Sequence, residues 1–222
     1  MVEKTCSPKD ARTGSRGECY ACRRAKKDCL CGSVRPFSTR MRFVILMHSE
    51  EAHKQRTGTA RLAKMCLTNA ELLTGTDFTR NERVNSLLRD PAFSPFVLYP
   101  GPEAVNFKTL GERIPEGKTL LVFVLDGTWG GARSLLNRSQ NIRALPRLSF
   151  SGSYLSQFKI KRQPVEHCVS TIEAVYYLCK EAEEAGYENL NAQNESLMSV
   201  FKELVDTQIN YQREKGRRRE DQ

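Results

Sequence analysis

The first constraint on this sequence is what it lacks. No apolar run approaches the ~18 residues that a membrane-spanning helix needs. The longest, Leu120 to Leu125, has the length of a strand. No basic start followed by an apolar stretch opens the chain, so a secretory signal is not expected and the cytoplasm is. No segment repeats at a fixed period, which argues against a repeat architecture. Tryptophan occurs once, at Trp129. Acidic residues are in deficit, 26 against 35 Lys and Arg, for a formal charge of +9. That surplus favours a polyanionic partner such as nucleic acid, the alternative being an ordinary basic protein.

What is present suits one α/β domain with small appendages in 222 residues. Arg42 to Met47, Phe96 to Tyr99 and Thr119 to Leu125 read as strands, and Arg147 to Phe150 as a further one. The third is apolar throughout, the pattern of a parallel strand covered on both faces. Thr59 reads as the N-cap of a helix carrying Leu62, Met65, Cys66 and Leu73 and stopped by Gly75. Cys66 belongs to its core face. A helix follows Trp129 with Ala132, Leu135 and Leu136. Another runs from Ser170 to about Ala185, ended by Gly186. The last, Glu195 to about Lys215, is amphipathic through Leu197, Phe201, Leu204 and Val205, and leads into Arg217, Arg218 and Arg219.

Four of the eight cysteines lie within thirteen residues, as C-x2-C-x6-C-x-C: Cys19, Cys22, Cys29 and Cys31. Short turns can bring four such thiolates around one tetrahedral zinc ion, and clustering of this kind in a reducing compartment points to metal. An iron–sulfur cluster is the other ligand-type option. A closed four-thiolate set leaves no open position, so the metal is structural on this reading. Arg23, Arg24, Lys26 and Lys27 between the ligands would offset the thiolate charge and are also placed to touch phosphate.

Asp126 ends the most apolar strand, and Gly127-Thr128-Trp129 leads into a helix. Ligands of open α/β sheets gather at the carboxyl ends of strands, where helix N-termini offer unpaired N–H groups. The Trp129 ring can stack on a base there. Equally, Asp126 can be a helix cap and Trp129 a core residue. Ser170 and Glu173 fit a capping box, which accounts for both by itself. His48, Glu50, Glu51 and His53 after the first strand read either as a metal or acid–base group or as solvated loop residues. His167 carries little signal. Arg56 to Arg61 resembles a small anion-binding turn, and Lys159 to Arg162 is a basic run.

Taken together, these features resemble the DTW-domain family, the tRNA-uridine aminocarboxypropyltransferases. The resemblance runs from about Cys19 to Ala185 and rests on four elements in order. They are the cysteine cluster; His48 and Glu51 leading to Thr57-Gly58 and Arg61-Leu62; Asp126-Gly127-Thr128-Trp129 followed by Arg143 and Pro146; and Ser170-Thr171-Ile172-Glu173-Ala174. Ser49, Arg56 and Lys161 depart from the residues usual in the family.

The resemblance implies S-adenosylmethionine as donor, a tRNA loop uridine as acceptor, and transfer of a 3-amino-3-carboxypropyl group with methylthioadenosine as by-product. It implies a SPOUT-like, knotted, mostly parallel sheet with an N-terminal zinc motif. Asp126, Thr128 and Trp129 become the expected catalytic residues. Leu98, Tyr99, Pro100, Gly127, Ser170, Thr171 and Glu173 become the donor-binding set. Arg23, Arg24, Lys26, Lys27, Arg56, Lys159, Lys161 and Arg162 become the tRNA contacts. The domain expectation is a flexible segment 1–17, a zinc motif 18–35, the catalytic domain 36–190 and a helix with a basic tail 191–222. Two other readings stay open: a SPOUT-type RNA methyltransferase, and a zinc-containing RNA-binding protein without catalysis.

Overall fold

Side chains of successive strand residues point to opposite faces, so a wholly apolar strand must be covered on both. The strand β1 (Arg42–His48) does this: Phe43, Ile45 and Met47 enter one hydrophobic cluster, and Val44 and Leu46 enter another. The strand β4 (Thr119–Asp126) repeats the pattern with Leu120, Val122 and Val124 against Leu121 and Phe123. The computed structural model describes residues 17–54, 58–110, 114–158 and 169–220.

Among the described residues five strands form one sheet in the order β2-β1-β4-β3-β5, with β2 (Ala70–Gly75), β3 (Phe93–Leu98) and β5 (Arg147–Leu148) completing it. Every pairing is parallel. The expected knot concerns a chain path that includes 159–168, outside the described residues.

One face carries α2 (Thr59–Cys66), α7 (Thr171–Glu184) and α8 (Glu195–Glu220). Their apolar stripes, including Leu62, Leu178 and Phe201, share the larger cluster with the cysteine motif. The other face carries α3 (Glu82–Arg89), α5 (Trp129–Arg138) and α6 (Gln140–Arg143) through Val84, Leu87, Leu135, Leu136 and Ile142. Two short helices, α1 (Ser49–Lys54) and α4 (Phe107–Leu110), follow β1 and β3. No helix among the described residues is long and apolar enough to cross a membrane.

Two expectations are corrected, and one helix adds to them. The helix opened at Thr59 ends at Cys66, and Leu73 lies instead on β2, an edge strand. The helical spacing of Leu73 from Cys66 is fortuitous, because Thr68 and Asn69 turn the chain: Thr68 N–H donates to Phe37 O, and Asn69 Nδ2 donates to Thr39 O and Met41 O. Gly58, not Thr59, occupies the cap position of α2. α3 was not expected at all. Its N-terminus is marked by Asn81, whose side chain accepts from Val84 N–H at 3.0 Å. Cys66 is buried in the core as expected, and burial pushes its thiol up to about 11.

Candidate active site and metal centre

Adjacent parallel strands β4 and β3 end side by side, and α7 starts across from them. Asp126, the last residue of β4, is buried at 8% exposure. Thr171, the first residue of α7, donates its hydroxyl to Asp126 Oδ1 at 2.5 Å. Its hydroxyl therefore points back to the sheet, and the Asp126–Thr171 pair ties two elements 45 residues apart in sequence.

The turn after Asp126 is tight. A Cβ on Gly127 would lie 3.2 Å from the Ala132 backbone nitrogen, so the position suits glycine. Thr128, not Asp126, caps α5, its Oγ1 accepting from Gly131 N–H at 3.1 Å. Trp129 is not a core residue. It is 43% exposed, and its ring meets the Tyr99 ring edge-on at 6.2 Å. Leu98 ends β3 with its backbone in register with Val124 and Leu148. Tyr99 and Pro100 follow it out of the sheet.

Arg147 was not anticipated here. Its guanidinium sits 5.5 Å from the Tyr99 ring and donates to Pro100 O at 3.3 Å. A Cβ on Gly101 would fall 2.4 Å from its Nη1, so Gly101 makes room for it. A lone arginine after Pro146 gives no sequence signal of this role.

Ser170 and Glu173 form the capping box. Glu173 is fully buried and does more than cap. Its carboxylate accepts from Ser170 N–H at 2.7 Å and Ser170 Oγ at 2.6 Å, and also from Ser156 Oγ at 2.9 Å and Gln157 N–H at 2.6 Å. Two turns further along α7, the buried Glu181 accepts from Ser151 N–H, Gly152 N–H and Tyr154 Oη at 2.9 to 3.0 Å. Burial, then this hydrogen bond, pushes the Tyr154 phenol up and keeps it protonated. The stretch after β5, from Ser151 to Gln157, is thus pinned to α7 by two carboxylates. A buried charge is tolerated only when hydrogen-bonded in this way.

On the β1 side of the same turn lies an open pocket of about 360 Å³ whose lining residues are half-buried or exposed. His48, Ser49, Glu50, Thr76, Ser134 and Arg138 line it. His48 Nδ1 accepts from Glu50 N–H at 3.3 Å.

The cysteine motif is a separate centre. The four Sγ atoms lie within 4.8 Å of one another, with Cys19 to Cys31 at 3.5 Å and Cys22 to Cys29 at 3.8 Å. Four sulfurs at 2.3 Å from one zinc would be spaced by about 3.8 Å, so the set fits a tetrahedral ion. Burial pushes Cys29 up to about 12 and Cys31 higher. Cys19 is also raised by burial, but the Cys22 and Ala21 amides bring it down to about 6. A bound dication removes this conflict by stabilising every thiolate at once. The knuckle is formed by Arg23, at φ 58°, whose N–H donates to Cys19 O at 2.8 Å.

The basic residues of the motif differ in exposure. Arg24 is 4% exposed and its Nε donates to Asp28 O at 2.9 Å, so it braces the motif and is a poor phosphate contact. Lys27 lies over the Tyr211 ring of α8 at 4.9 Å, and the Tyr211 hydroxyl reaches both Asp28 oxygens at 2.7 and 2.8 Å. Arg23 is exposed and Lys26 half-buried. Tyr20, 91% exposed between Cys19 and Cys22, was missed by sequence reasoning. Arg56, Lys159, Lys161 and Arg162 lie outside the described residues.

The sequence matches the family described as DTW domain over residues 16–209. The protein named tRNA-uridine aminocarboxypropyltransferase 2 of Mus musculus is 27% identical over 201 residues, covering 88% of this chain and 65% of that protein. Proteins of the same name from Macaca fascicularis and Drosophila melanogaster are each 28% identical, covering 71% of this chain and 54% and 63% of their own lengths. This chain therefore spans between 54% and 65% of the length of these relatives. No solved structure is significantly similar to it. The matched stretch begins ahead of the cysteine cluster, contains the whole sheet and the Asp126–Thr171 site, and ends inside α8, so the chain belongs to the DTW-domain family.

Proposed function

We propose that this protein transfers the 3-amino-3-carboxypropyl group of S-adenosylmethionine to N3 of a loop uridine in tRNA. The observation that carries this reading is the buried Asp126, held by Thr171 beside the open Tyr99–Trp129 wall at the carboxyl edge of a parallel sheet. Relatives that share most of this chain are named tRNA-uridine aminocarboxypropyltransferase 2, which supports the group transferred and the class of acceptor.

The bond to form joins uridine N3 to the γ-carbon of the donor's aminocarboxypropyl arm. The bond to break is the one between that carbon and sulfur. The sulfonium keeps the electron pair and leaves as the thioether methylthioadenosine. The N3 proton goes to a base. The sulfonium has three carbon neighbours, so the enzyme selects one by placing it in line with N3. Asp126 is the group for the proton or for the donor's positive charge, and Thr171 fixes the direction of its carboxylate. Trp129 and Tyr99 offer the adenine an aromatic wall, with Leu98, Pro100 and Gly127 as its floor. Arg147 beside Tyr99 adds a cation that suits the donor's carboxylate.

Zinc at Cys19, Cys22, Cys29 and Cys31 would be structural, since four thiolates leave no open position. Arg23, Lys26 and Lys27 are proposed to contact tRNA, with the basic residues 56, 159, 161 and 162 as further candidates. A cytoplasmic location agrees with thiols kept reduced for metal. The test is the by-product of a reaction containing protein, tRNA and S-adenosylmethionine. Methylthioadenosine is expected. S-adenosylhomocysteine would assign methyl transfer, and tRNA binding without donor affinity would assign a binding protein.

A further inference from the structure

The cavity on the β1 side is not used by any of the donor contacts above. Its volume of about 360 Å³ falls in the ~300–1,000 Å³ range of small-ligand pockets. Its position is set by three elements. His48 closes β1, Thr76 follows β2, and Ser134 and Arg138 stand one turn apart on α5. Only the glycine turn separates it from Asp126. A Cβ on Gly127 would meet His48 Cβ at 3.6 Å, and one on Gly131 would meet His48 Cγ at 3.8 Å. Met47, just before His48, is in register with Asp126. Neighbouring strands lie ~4.8 Å apart, so groups bound at the two strand ends can approach to the ~3–3.5 Å at which reacting atoms meet.

The wall chemistry selects an occupant. Among the described residues it contains no Phe, Tyr or Trp, so it is a poor adenine site, unlike the Tyr99–Trp129 side. The Glu50 carboxylate opposes a bare phosphate. Donors predominate otherwise: the Arg138 guanidinium and the hydroxyls of Ser49, Thr76 and Ser134. His48 Nδ1 accepts from Glu50 N–H, so Nε2 is the ring nitrogen left to donate. A uracil ring has two carbonyl acceptors flanking one N–H. As N3 gives up its proton, negative charge spreads to those carbonyl oxygens, and fixed donors there stabilise it.

We infer that this cavity is the acceptor pocket, taking the uracil ring of the target nucleotide with His48, Ser134 and Arg138 donating to its carbonyl oxygens. This rests on the reaction proposed above. Donor and acceptor then enter from opposite sides of the Asp126–Trp129 turn, and the two substrates meet over Gly127.

The test uses two variants of the full chain: Arg138→Ala, at an exposed position, and Ser134→Trp, which fills the cavity. Each is assayed for transfer at subsaturating tRNA, for S-adenosylmethionine affinity by calorimetry, and for crosslinking to a tRNA transcript carrying 4-thiouridine in place of uridine. Transfer is expected to fall about tenfold or more with donor affinity unchanged. The wild-type crosslink is expected within Ser49–Lys54 or Trp129–Arg138. Wild-type transfer rates in both variants, or crosslinks that map elsewhere, overturn the assignment. So does a matching loss of donor affinity, which makes the cavity part of the donor site. A crosslink to the cavity without any aminocarboxypropyl product from wild type keeps the uridine pocket and rejects the reaction.

Discussion

The Thr171 hydroxyl donates to Asp126 Oδ1 at 2.5 Å, so the first residue of α7 and the last of β4 act as one unit. A hydrogen bond to an ionised group is stronger than a neutral one and fixes direction as well as energy. Asp126→Asn is expected to lower single-turnover transfer by about 10²-fold or more. Thr171→Val, which keeps shape but removes the donor, is expected to cost about tenfold. An Asp126→Asn protein with near-normal turnover removes Asp126 from both proposed roles. The pH–rate profile separates them: a base loses activity on the acid side, whereas a donor-binding carboxylate loses donor affinity there.

Glu173 is tested on stability. Glu173→Ala removes the buried acceptor of the Ser170, Ser156 and Gln157 donors. A loss of about 3 kcal/mol is expected from several charge-assisted bonds removed together, or a fall in Tm of roughly 6–12 °C for a chain of this size. Thermal denaturation checks it. A shift below a degree would mean that the carboxylate contributes nothing net.

The cysteine motif is coupled to the far end of α8 through Tyr211 and Asp28. About one zinc per chain is expected by elemental analysis, lost in Cys29→Ser. Hydrogen exchange in the Tyr211 stretch of α8 is expected to rise when the metal is removed, while donor affinity holds. A visible charge-transfer band with iron in the preparation would assign an iron–sulfur cluster instead. Loss of donor binding together with the metal would place the motif at the active site.

Acid sensitivity has a local source on the sheet edge. Glu71 on β2 is held down to about 2 from 4.5, first by its bidentate pairing with Arg83, with burial opposing and Arg42 adding to the effect. A carboxylate depressed in the folded state stabilises it fully above the ordinary value of 4.5, and that contribution fades as pH falls towards about 2. Discounted for solvent screening, it is worth about 1 kcal/mol. Glu71→Gln should be less stable than wild type at pH 7 and equal to it near the bottom of that window. Denaturant titrations at both ends check this, and a pH-independent difference contradicts it.

How much of this was legible in the sequence depended on how each residue is used. β1 and β4 announced themselves because strands buried on both faces are apolar at every position. The Ser170–Glu173 box was visible because capping is a short-range pattern. β2 was hidden: its residues AELLTG favour helix locally, and only pairing with β1 makes them a strand. Arg24 looked like a free cation in a basic stretch, yet desolvation by its neighbours and the bond to Asp28 O depend on a fold that spacing does not reveal. The pairing of Asp126 with Thr171 and the cavity behind Gly127 join residues distant in sequence, and no local pattern encodes them.

The most direct measurement is the mass of the nucleosides released from tRNA after incubation with this protein and S-adenosylmethionine. One uridine is expected to gain the mass of an aminocarboxypropyl group, with one methylthioadenosine formed per group and the modified position mapping to an unpaired loop. A uridine that gains only a methyl group, or tRNA that gains nothing while the protein binds both substrates, contradicts it.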